Sequence, residues 1–80
     1  MDEVFLVKYD NGKFPANTLV KLEAVSNSGD CYLVSRFPNW NDREWLMYYD
    51  LYKFVKKGEM SQRWQFDEKY DRIIKDLLNL

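Results

Sequence analysis

Alternation of apolar and polar positions runs through the first two thirds of the chain and gives way to a helical period in the last third. Across residues 3–9, Phe5, Val7 and Tyr9 alternate with Val4, Leu6 and Lys8. Asp10-Asn11-Gly12 follows at once, which predicts a strand ending in a turn. Phe14-Pro15-Ala16-Asn17 reads as loop, because proline lacks a donor and pushes the residue before it into an extended conformation. Residues 18–25 alternate again, with Val20, Leu22 and Ala24 on one face and Lys21 and Glu23 on the other. The run Ser26-Asn27-Ser28-Gly29-Asp30 consists of turn formers and closes a hairpin onto a strand over residues 31–37. In that strand Cys31, Leu33, Ser35 and Phe37 face one way and Tyr32, Val34 and Arg36 the other.

A second hairpin turn, residues 38–42, leads into a strand over residues 43–49, where Trp45, Met47 and Tyr49 oppose Glu44, Leu46 and Tyr48. Asp50-Leu51-Tyr52 reads as a one-turn connector into a last short strand, residues 53–57, ended by Gly58. Beyond it the period changes. Phe66, Tyr70, Ile73, Leu77 and Leu80 recur at helical spacing, widened by Ile74 and Leu78, with Asp67 as N-cap and Asp67, Glu68 and Asp71 at the positive end of the dipole. Ile73 and Leu77 are its expected buried residues, and a helix this short needs a docking surface to be stable. The expectation is a mainly β, α+β domain: a small five-stranded antiparallel curled sheet or barrel followed by a C-terminal amphipathic helix.

All 80 residues read as one domain, with the sheet over 3–57, an extended connector over 58–66 and the helix over 67–80. Over residues 3–57 the arrangement resembles the SH3-like barrels in its spacing: a loop-rich first third, two successive hairpins, then a short turn into a closing strand. No motif of that family is matched, so no residue role is carried over. Such domains often bind peptides, which places interest on the hairpin tip around Trp40.

Composition narrows the chemistry. Aromatics make up 18% of the chain, there is no histidine, and Cys31 is the single cysteine. A core this small therefore leans on large rings, with no disulfide within the chain and no histidine for a zinc site. The commonest acid–base group near neutral pH is missing, no glycine-rich phosphate loop occurs, and Cys31 sits at a strand start where it packs as a small hydrophobe. The expectation is a non-enzyme with no cofactor and no metal. Net charge is −1, so no global field draws the chain to nucleic acid or to an anionic membrane. With no apolar run of spanning length, no membrane association is expected, and a cytoplasmic location is the default.

Aromatic density points to binding. Phe37, Trp40, Tyr48 and Tyr52 are the candidate partner-binding residues, weighed against Trp40 folding back as a plug and Tyr48 and Tyr52 seating the helix. Lys53, Lys56, Lys57, Arg63 and Trp64 form the basic and aromatic cluster suited to single-stranded nucleic acid. The leading expectation is a small interaction module that occupies a surface of another protein, such as a phage or accessory-element regulator of a host protein. Single-stranded nucleic-acid binding comes second, and a self-associating subunit joined through its helix third.

Overall fold

The computed structural model describes residues 3–54 and 63–79. Five antiparallel strands form one sheet, followed by a C-terminal helix: β1 (Val4–Val7), β2 (Leu19–Val25), β3 (Cys31–Arg36), β4 (Arg43–Met47), β5 (Leu51–Lys53) and α1 (Glu68–Leu78). The strand order is β4-β3-β2-β1-β5. Strands β2, β3 and β4 form a meander, while β1 joins β2 on one side and β5 on the other, pairing Val7 with Leu51.

Both hairpin turns lie where the turn formers put them. In the first, Ser26 N donates to Cys31 O at 2.8 Å and the Cys31 amide donates to Ser26 Oγ at 3.1 Å. Gly29 there adopts φ +79, a conformation that only glycine takes without strain. In the second, Arg36 N donates to Asp42 O at 2.9 Å and Trp40 N to Arg36 O at 2.7 Å.

Three details of the sheet differ from the alternation pattern. Strand β4 ends at Met47 instead of Tyr49, and the one-turn connector is the 3-10 helix Tyr48–Asp50 instead of residues 50–52, so β5 begins at Leu51 instead of Lys53. The backbone turns earlier because Tyr48 N, at the end of the β3–β4 ladder, donates to Asp30 O at 2.9 Å. Residues 55–57 of the expected last strand, and 58–62 of the expected connector, lie outside the described residues. The third difference is in β2, where the register slips between Leu22 and Ala24. Glu23 is the extra residue of a β-bulge, so Leu22 stays opposite Val34 while Ala24 lies opposite Leu33, on the other face.

The two sheet faces hold two cores. On the inner face, Phe5, Val7, Phe14, Val20, Tyr32, Val34, Leu46 and Leu51 pack together, so all five strands contribute to one curled cavity. On the outer face, Leu6, Leu19 and Tyr52 meet Ile74 of α1. β1 is therefore apolar on both sides, which explains why Phe5, Leu6 and Val7 are all fully buried.

The helix begins as its sequence dictates: Asp67 caps it, with Oδ1 accepting from Lys69 N at 3.0 Å. Its buried line differs from the expected one. Ile74 is 0% exposed and Asp71 is buried, while Ile73 and Leu78 are half-buried and Leu77 is 38% exposed. The helix is rotated toward Ile74 because Tyr52 stands beneath its first turn, stacked on Tyr70 at 5.2 Å between ring centroids. Asp71 is paired there with Lys75, whose Nζ lies 3.1 Å from its carboxylate.

Tyr52 ties the helix to the sheet, since its hydroxyl accepts from Asp67 N at 3.0 Å. Burial pushes its phenol above the ordinary value, and the Asp71 and Asp67 charges add to this, against the Asp67 amide hydrogen bond and Lys75. The folded chain thus holds the phenol proton more tightly than the unfolded chain does. That contribution to stability is fully present below about pH 10 and is lost as pH rises through the raised value. Tyr52→Phe is expected to cost about 0.5–1.5 kcal/mol at neutral pH and to flatten the alkaline fall in stability. Urea unfolding from pH 7 to 11.5 of both proteins checks it; equal alkaline slopes would show that other groups govern that limb.

Candidate interaction surface

The helix covers only part of the outer face. It sits over β1, β5 and the start of β2, and Phe37 borders it. Beyond that border no described helix lies over the outer face of β3 and β4, where Ser35 is buried and Trp45 is exposed. Register places Cys31 opposite Met47, Leu33 opposite Trp45 and Ser35 opposite Arg43 on this face. Trp45 is 44% exposed, Arg43 is exposed, and Leu33, Cys31 and Met47 are half-buried. The Glu23 bulge adds Ala24 beside Leu33. Glu23 itself accepts from Ser35 Oγ at 2.7 Å, which satisfies a hydroxyl with no solvent access.

Trp40 closes the strip at its upper corner. Its ring lies edge-on to Phe37 at 5.5 Å between centroids, and the Lys21 ammonium stands 5.1 Å over it. Its backbone adopts φ 61, a left-handed conformation that is strained for a bulky residue, by on the order of 1–3 kcal/mol. Alternation sets Trp45 and Arg43 on this outer face, and Trp40 joins it from the turn through its contacts with Phe37 and Lys21.

The other sequence candidates have structural employment. Tyr52 is 5% exposed under α1 and presents no surface to a partner. Tyr48 is half-buried against the inner core. Trp64 reaches back to complete that core, with its ring 5.3 Å from Phe5, 5.9 Å from Tyr32 and 6.3 Å from Tyr48. Arg63 fastens the same segment to the first hairpin: its guanidinium donates to Gly29 O at 2.5 Å, lies 3.6 Å from the Asp30 carboxylate and sits 3.7 Å over the Tyr48 ring. Lys53 lies 3.6 Å from Glu3. Lys56 and Lys57 fall outside the described residues. Arg63 and Trp64 are therefore a clasp between the C-terminal segment and the sheet.

Sequence reasoning did not nominate Trp45, Leu33, Met47 and Arg43 as a surface. Alternation put Trp45 and Met47 on one side of their strand and Leu33 on one side of its own; what it lacked was the register that joins the two sides and the reach of the helix, which covers the β1–β5 half of that face. Two further exposed rings, Tyr9 and Tyr49, stand where Lys8 N donates to Asp50 O at 2.8 Å, with no apolar strip beside them to compare with the β3–β4 face.

No group of three or more potential metal-ligating His, Cys, Asp or Glu side chains occurs among the described residues. No helix there is long and apolar enough to cross a membrane. Cys31 is a free, half-buried thiol with its Sγ 3.3 Å from Met47 Sδ. Compared with protein-family models, curated proteins and solved structures, the chain matches none.

Proposed function

We propose that this protein is a non-catalytic interaction module that binds another protein through the open half of its outer sheet face, with Trp45 and Trp40 as anchors. The observation that supports this most is the exposure of Trp45 at the centre of an apolar strip of Leu33, Met47 and Ala24. Exposed apolar strips rimmed by charge are what interfaces use, and tryptophan and arginine dominate their energetics. Here Arg43 and Lys21 provide that rim. The strain at Trp40 supports the same reading, since such strain is retained where a ring must be held in place.

The finer readings belong to this proposal too. An SH3-like barrel is supported by the two hairpins and the one-turn connector before β5. A phage or accessory-element regulator that blocks a host protein in the cytoplasm is supported by small size and a lysine-, asparagine- and tyrosine-rich composition.

Trp45→Ala is expected to cost about 1 kcal/mol or less of stability, as a surface change, while removing ~2 kcal/mol or more of partner binding. The check is capture from a native lysate, with and without nuclease, using wild type, Trp45→Ala and Lys53→Ala, followed by titration of the captured species. Nuclease-resistant capture lost in Trp45→Ala supports the module. Capture that disappears with nuclease, falls steeply with salt and ignores Trp45 would replace it with the nucleic-acid reading.

A further inference from the structure

The free edge of β4 carries a self-complementary pattern, and we propose that two copies of this chain pair antiparallel along it, joining their sheets about a two-fold axis. This uses the backbone edge of β4 and also covers part of Trp45, so it competes with the protein partner proposed above; the amide-exchange and register tests below read the backbone edge alone.

The hydrogen-bond phase of the β3–β4 ladder fixes which groups point outward. Arg36 N donates to Asp42 O and Tyr48 N to Asp30 O, each at 2.9 Å, so even-numbered β4 residues face β3. Antiparallel ladders alternate, so the N–H and C=O groups of Arg43, Trp45 and Met47 point away from the sheet. β4 is a terminal strand, and among the described residues no backbone group of another strand meets them. Among the described residues Lys13 reaches this edge: its Nζ donates to Trp45 O at 2.8 Å from an exposed, long side chain.

An open edge is a template for another strand, and its side chains decide which strand fits. Against a second β4, charge excludes some registers and the extent of overlap chooses among the rest. Centring the pair on Arg43 sets two arginines opposite each other, and centring it on Glu44 sets two glutamates opposite each other; both are unfavourable. Centring on Trp45 pairs Arg43 with Met47, Glu44 with Leu46 and Trp45 with its own copy. No like charges meet, all of β4 overlaps, and the outward groups form about six inter-chain backbone hydrogen bonds. The two Trp45 rings then stand side by side on one continuous outer face, burying part of what is exposed in the single chain.

Sedimentation equilibrium of the full chain, with amide exchange at low and high concentration, tests this. The expected result is a dimer with a dissociation constant at or below about 1 mM, in which the Trp45 and Met47 amides gain protection with concentration. Glu44 and Leu46 amides, already bonded to β3, stay protected throughout. Met47 faces Arg43 of the other copy, so Met47→Glu should tighten the dimer roughly 2- to 30-fold through two new cross-strand pairs, and Met47→Lys should weaken it. Trp45→Pro, which removes an outward N–H, should leave a folded monomer. A chain that stays monomeric up to about 1 mM overturns the proposal. So does a dimer whose Trp45 amide remains unprotected, or one in which Met47→Glu and Met47→Lys act alike.

Discussion

Phe5→Ala is expected to be the most damaging single substitution, costing about 3–5 kcal/mol. Phe5 has no solvent exposure and its ring meets Tyr32 at 5.6 Å and Trp64 at 5.3 Å between centroids. Removing it leaves a cavity that two large rings cannot both fill, and it also loosens the seat of Trp64. Native domains are stable by only about 5–15 kcal/mol, and one of 80 residues belongs at the lower end. Circular dichroism of Phe5→Ala at 25 °C should show a chain largely unfolded or melting far below wild type. A melting temperature within a few degrees would mean that the inner core is held by other contacts.

Ile74→Ala is expected to cost about 2–5 kcal/mol, whereas Leu77→Ala should cost about 1 kcal/mol or less. The two are three residues apart, about 60° around the helix, and Ile74 is the residue pressed between Leu6, Leu19 and Tyr52. For a domain this size each kcal/mol moves the melting temperature by roughly 4–8 °C, so the pair should separate clearly in a thermal scan. Equal effects would place the helix seam between the two positions. A larger effect at Leu77 would restore the Ile73 and Leu77 stripe.

The difference between those stripes shows what the sequence held and what it withheld. The period over residues 66–80 defines an apolar arc that contains Ile73, Ile74, Leu77 and Leu78, and periodicity alone cannot choose its centre. Tyr52 chooses it, from a strand distant in sequence, by occupying the space under the first turn and accepting the Asp67 amide. The strands and both hairpin turns were legible because alternation and turn chemistry are local. The bulge at Glu23 was not, since nothing in a regular alternation from Val20 to Ala24 marks an extra residue, and its partner Ser35 lies on the next strand.

The candidate site shows the same division. Phe37 and Trp40 stand out in the sequence from their place at a hairpin tip. Arg63 and Trp64 looked like a nucleic-acid platform from their types and neighbours, yet the Gly29 carbonyl, the Asp30 carboxylate and the Tyr48 ring take up the guanidinium, and the inner core takes up the indole. Those are long-range contacts that composition does not encode. Trp45 was assigned to a face correctly and left unused, because its exposure depends on where α1 stops.

The pairing of β1 with β5 has a consequence for how this chain is made. Val4–Val7 is synthesised before β2, β3, β4 and β5, and it is apolar on both sides. Its neighbour β5, its lid Trp64 and its outer cover Ile74 are all synthesised later. In that interval β1 can pair with β2 and lay Phe5 and Val7 against the meander, while Leu6 still lacks its outer cover and Phe5 its lid. Completing β1 therefore needs contacts far along the chain, the kind of pairing that forms slowly and leaves apolar surface adhesive while it is open.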